Sequence, residues 1–212
     1  MTKRILALAL VLGLLCALAG AVYAEETEDA EAPEIITYTG TGDDVIEVDL
    51  RDGYAMHITV GPAARSYDLY SVEAYTADGE LVDRLASGMG SYDGVVFDGT
   101  YTAAILLIEA ACDWSVELVP LSDLPMIRKG EPFTGTGDMV LIADEPFRVA
   151  DVSGNGDRKY FGVWSYWEDG RDLLVNSTDP VDTRMIVKGS PRLLAVSSTG
   201  AEAWSITISD PR

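Results

Sequence analysis

The side chains able to do chemistry in this chain are few and scattered: one histidine, His57, two cysteines, Cys16 and Cys112, and 35 acidic residues. A nucleophile–histidine–acid arrangement needs three groups brought together from loops, and no serine stands in a recognisable strand–turn–helix elbow. One histidine and one or two cysteines fall short of the usual zinc set. Carboxylates are plentiful enough for a glycosidase pair, but a small all-strand unit offers little concave space for a cleft. By alternation with Tyr54, Met56 and Ile58, His57 is expected to point off the core face toward solvent, with Ala150 as its counterpart later in the chain. Catalysis is not expected.

Two constellations suggest binding instead. Tyr38-Thr39-Gly40-Thr41-Gly42-Asp43 returns as Phe133-Thr134-Gly135-Thr136-Gly137-Asp138. Its glycines superficially resemble a phosphate loop, yet Val45-Ile46 and Val140-Leu141 follow as strands, and without a helix N-terminus there is no ready anion site. The plain reading is a tight turn capped by the aspartate. The sharper one is Ca²⁺, with carboxylate ligands from Asp43, Asp44 and Asp138; Met139 takes the Asp44 position in the second copy. The other constellation is aromatic. Trp164 and Tyr166, with Tyr75 at the Tyr166 position in the first half, would suit stacking on sugar rings if they share an exposed strand face. Contact with the other half, or burial on both faces, are the alternatives. Trp114 and Trp204 recur at one place in each half and are expected to anchor the cores.

The elements that must position these residues read as strands. Ile46-Glu47-Val48-Asp49-Leu50 alternates apolar with acidic, and Trp114-Ser115-Val116-Glu117-Leu118 is matched by Trp204-Ser205-Ile206-Thr207-Ile208. Asp78-Gly79 and Asp169-Gly170 mark hairpins, and a strand is expected over Tyr101–Ile108. No window makes an amphipathic helix outside the N-terminal segment. The offset between copies slides from about 95 to about 90 residues, which shortened loops explain. The expected fold is all-β: two tandem antiparallel β-sandwich, jelly-roll-like domains related by internal duplication, at 34–120 and 131–210, with a linker at 121–130.

Residues 1–24 read as a signal peptide: Lys3 and Arg4, an apolar run, and Val22-Tyr23-Ala24 before the cut. Leu15 before Cys16 is a poor lipid-attachment context. Residues 25–33 form an acidic leader with the composition of disorder. Removing Lys3 and Arg4 from 15 basic residues leaves 13 against 35 acidic ones, a formal net charge of −22. Such a surface disfavours nucleic acid and anionic membranes. Only Cys112 survives cleavage, so the mature chain forms no internal disulfide.

Phe97-Asp98-Gly99-Thr100-Tyr101, an apolar strand, a small loop and then Trp114-Ser115-Val116-Glu117-Leu118 resemble the end of bacterial pre-peptidase C-terminal domains and related exported sandwiches. Tyr67-Asp68-Leu69-Tyr70, ending in Asp78-Gly79, is similar to that family's central strand. Gly189-Ser190-Pro191 departs from the Gly-Thr-Tyr pattern in the second half. The resemblance implies a non-catalytic module exported with or beside secreted enzymes, in some cases binding calcium or an extracellular polymer. From the residues and the resemblance together, the expectation is a secreted or cell-surface binding or structural module that contacts a protein or polysaccharide. It needs no cofactor apart from the calcium alternative. A carbohydrate-binding module using Trp164 and Tyr166, or a small secreted hydrolase or its accessory subunit, are the other readings.

Overall fold

The computed structural model describes residues 34–62 and 64–211; the expected signal peptide and acidic leader lie outside the described residues. The first half carries β1 (Ile36–Thr41), β2 (Asp44–Glu47), β3 (Tyr54–Val60), β4 (Leu69–Tyr75), β5 (Leu81–Met89), β6 (Tyr92–Val96), β7 (Ile105–Glu109) and β8 (Asp113–Pro120). After a 3-10 turn at Leu121–Asp123 comes β9 (Met126–Ile127). The second half carries β10 (Pro132–Gly135), β11 (Met139–Ala143), β12 (Val149–Gly154), β13 (Phe161–Trp167), β14 (Gly170–Ser177), β15 (Val181–Ile186), β16 (Leu193–Ser198) and β17 (Trp204–Ser209). The structure is all-β and its sheets are antiparallel apart from one two-residue pairing. No described helix is long and apolar enough to cross a membrane.

The strands pair as β1-β8-β3-β6 against β2-β7-β4-β5, and as β10-β17-β12-β15 against β14-β13-β16-β11. Each half thus has two sheets built on four strands in the order of a jelly roll, β9 adding a fifth beside β11 in the second half, and the order of the four repeats from the first half strand for strand. Alternation explains why these residues choose it. In β3, Met56, Ile58 and Val60 enter the core while His57 and Thr59 face away. Trp114, Val116 and Leu118 line up opposite them, and in the second half Trp204, Ile206 and Ile208 do the same.

The repeated Thr-Gly-Thr-Gly-Asp turn is a clasp. Gly40 and Gly135 lie so close to the indole rings of Trp114 and Trp204 that neither position has room for a Cβ. Each indole N–H donates to the next glycine's carbonyl, Trp114 Nε1 to Gly42 O at 2.9 Å and Trp204 Nε1 to Gly137 O at 3.0 Å. The aspartates accept from where the penultimate strand ends: Asp43 from Ala110 N, just past β7, at 3.0 Å, and Asp138 from Ser198 N, the last residue of β16, at 2.6 Å.

Two expectations are corrected. Residues 101–104 are not strand: the buried Asp98 carboxylate accepts from the amides of Thr100, Tyr101 and Ala103 at 2.9–3.3 Å and gathers them into a loop, so β7 starts at Ile105. The counterpart of His57 is Asp151 and not Ala150, because His57 pairs with Glu117 as Asp151 pairs with Thr207. A one-residue slip of register moves a side chain to the opposite face.

The joining segment is itself structured: β9 adds to the edge of β11 as a parallel strand. A third apolar cluster then forms between the halves. Ala55, Phe97 and Val119 on the outer face of the β3-β6-β8 sheet meet Val140, Leu193 and Tyr166 on the outer face of the β11-β16-β13 sheet. Val95 N donates to Asp138 O at 3.1 Å, and Tyr92 donates its hydroxyl to Asp138 Oδ2 at 2.7 Å across the seam.

Candidate functional site

Where two convex sandwiches touch, their edges diverge and leave a groove, and its lining comes from loops that the strand ends position. The β6–β7 loop supplies Phe97 and Tyr101, the connector supplies Leu121, the β13–β14 hairpin supplies Trp167 and Arg171, and the β15–β16 loop supplies Ser190 and Arg192. The volume is about 1000 Å³. A second chamber of about 360 Å³, lined by Arg84, Tyr160 and Trp164, shares Phe97, Tyr166 and Arg171 with the first, so the two adjoin along the seam.

Aromatic packing builds the floor. Phe97 meets Tyr166 edge-on at 5.0 Å between ring centroids and Tyr101 edge-on at 5.1 Å, arrangements that the ring quadrupoles favour. Trp167 lies flat on the backbone of Gly170 and Gly189, where a larger residue would displace it. The guanidinium of Arg171 sits over the Trp164 ring at 5.0 Å, a cation–π contact. Among the described residues, neither Arg171 nor Arg192 has a carboxylate within ion-pair distance. Glu168 and Asp169 add negative charge to the rim, so both signs are present. Tyr101 and Ser190 both adopt left-handed backbone, at φ 54° and 52°; such strain costs roughly 1–3 kcal/mol each and concentrates at functional sites.

Burial sets the protonation of the seam. It pushes the Tyr166 hydroxyl up, Arg171 working against the shift, and it pushes Tyr101 up as well. Burial likewise raises the Asp138 carboxyl, against the hydrogen bonds from Tyr92 and Ser198 that favour its charged form. Tyr92 is driven far up by burial and by the neighbouring Asp138.

The residues singled out from sequence fall in different places. Tyr166 and Trp164 do share the outer face of β13, but that face is turned to the other half: Tyr166 belongs to the third cluster and Trp164 lines the second chamber beneath Arg171. Tyr75 is on the opposite side of the molecule, on the open face of β4, where it donates to Glu73 Oε2 at 2.7 Å. Asp43 and Asp138 cap turns, and Asp44 accepts from Val45 N at 2.8 Å. No three metal-ligating side chains converge among the described residues. His57 is half-buried between Asp93 Oδ1 at 2.8 Å and Glu117 Oε2 at 3.2 Å, on the outer face of β3. Two opposed effects act on it, burial lowering its pKa and the two carboxylates raising it, and the carboxylates prevail. Cys112 donates to Gly61 O at 3.1 Å.

Sequence reading missed Tyr101, Trp167, Arg171 and Arg192. Trp167 had a signal, being the third aromatic residue in Trp164-Ser165-Tyr166-Trp167. The two arginines had none, because only the docking of the halves brings residues 97–101 beside 166–171. Fold and site together define a paired β-sandwich protein with an aromatic-floored groove along the seam. No protein-family model matches the chain, and no curated protein matches it either.

Proposed function

We propose that the chain is an exported, non-catalytic binding module, built from two copies of one sandwich and acting at or outside the cell surface, that holds an extended ligand in the seam groove. The observation that carries this reading is the pair of adjoining seam cavities that share Phe97, Tyr166 and Arg171 and that Trp164, Trp167 and Tyr101 line with aromatic rings. A polysaccharide fits this lining best. Rings stack on rings, a rim of both charge signs hydrogen-bonds hydroxyls, and the acidic surplus of the chain repels polyanions. His57 and Cys112 lie outside the lining, which supports binding over catalysis. The shared strand order and the repeated clasp support duplication as the origin of the two halves. Asp43, Asp44 and Asp138 serve the turns.

The test is a tryptophan-fluorescence titration of the mature chain with a panel of soluble neutral and acidic polysaccharides. Trp164 and Trp167 report from the groove. The expected result is saturable binding of a neutral polymer that Trp167→Ala and Arg192→Ala each weaken at least tenfold. Binding indifferent to both substitutions, or turnover of the polymer, would refute the proposal.

A further inference from the structure

The face that docks in the second half is left open in the first. Registers put Val45 where Val140 stands, Tyr75 where Tyr166 stands and Glu73 where Trp164 stands. Val140 is fully buried in the seam, whereas Val45 is 64% exposed. The complementary face is open in the second half. There Ile186 follows Met185 as Phe97 follows Val96, and Arg184 takes the place of Val95. Phe97 is 9% exposed in the seam; Ile186 is 79% exposed. One molecule therefore carries, at opposite ends, an unused copy of each side of its own internal interface.

The used and unused faces correspond in their apolar positions. Inside the molecule Val95 and Trp164 line one chamber together. At the corresponding places the free faces carry Arg184 and Glu73, each already paired within its own sheet, Arg184 with Asp151 at 3.1 Å and Glu73 with Arg84 at 2.6 Å. Phe97 against Tyr166 becomes Ile186 against Tyr75, apolar against aromatic in both cases. From the exposed apolar pair Val45 and Ile186, standing where the seam buries Val140 and Phe97, we infer that a second copy of this chain docks head to tail, the β2-β7-β4 face of one molecule on the β12-β15-β17 face of the next. An interface of this kind is heterologous and extends into rings or filaments. Each free face also bears polar groups, Glu47 on one and Asp182 on the other, so the contact is weaker than the internal one and reversible. It is independent of any ligand in the groove.

Sedimentation velocity of the mature chain across a wide concentration range, at about 0.15 M salt where surface charges are screened beyond ~8 Å, tests this directly. The wild type is expected to shift to larger species as concentration rises. Val45→Asp and Ile186→Asp, each alone, are expected to stay monomeric, and their equimolar mixture to form a dimer, since one variant keeps an intact Ile186 face and the other an intact Val45 face. Both positions are exposed, so each variant keeps the fold, which an unchanged far-UV circular dichroism spectrum checks. A wild type that stays monomeric throughout overturns the inference. So does association lost in Val45→Asp but kept in Ile186→Asp, the result for two identical faces meeting, and so does a mixture of the single variants that stays monomeric.

Discussion

Val140 and Val45 occupy the same place in two sheets of identical strand order and differ only in what covers them, which makes them a matched pair for measuring the seam. Valine to alanine removes about two methylene equivalents, worth ~0.8 kcal/mol each when fully buried. A cavity that does not close adds about 1 kcal/mol. For Val140, with no exposed surface, the expected loss from burial is therefore about 2–3 kcal/mol. For Val45, 64% exposed, only about a third of the transfer term applies, ~0.5 kcal/mol. The preference of strands for valine over alanine, up to ~1 kcal/mol, bears on both and cancels in the difference. Val140→Ala should thus cost about 2 kcal/mol more than Val45→Ala, read from urea midpoints with unchanged slopes at a protein concentration low enough to exclude association. Equal losses, or the larger loss at Val45, would refute the docking of the β11-β16-β13 face on the first sandwich.

Two other expectations rest on single side chains. Ser165 points into the second core with its hydroxyl buried and without a hydrogen-bond partner, while Ala74 holds the corresponding place in the first core; Ser165→Ala should raise stability by about 1 kcal/mol, or ~2–4 °C in Tm by calorimetry, and a fall would mean the hydroxyl has a partner. His57 has its pKa raised on folding, so the stabilisation from its charged form is complete below the unfolded value of about 6.5 and disappears as pH rises through the folded value. His57→Gln should consequently destabilise more at about pH 5 than at about pH 9, and a penalty independent of pH would show that the contacts of His57 with Asp93 and Glu117 do not depend on its charge.

Composition and periodicity decide a good deal here by local physics alone. Alternation of Met56, Ile58 and Val60 against His57 and Thr59 can bury its apolar half only as a strand, and a glycine before each Thr-Gly-Asp turn leaves just the room an indole ring occupies. Strand content, the two cores and the role of Trp114 and Trp204 follow from that. The face of β13 did not follow. Trp164 and Tyr166 alternate with Val163 and Ser165 whether their side of the sheet meets water, sugar or protein, since a period of two states which residues share a face and nothing about what lies beyond it. The counterpart of His57 was misplaced by one residue for a related reason: register is set by hydrogen bonds across the ladder, which no single strand records. Val45 and Val140, or Phe97 and Ile186, are nearly equivalent as letters. Tertiary structure alone made one of each pair core and left the other at the surface, because burial belongs to the packing of two faces and not to either sequence.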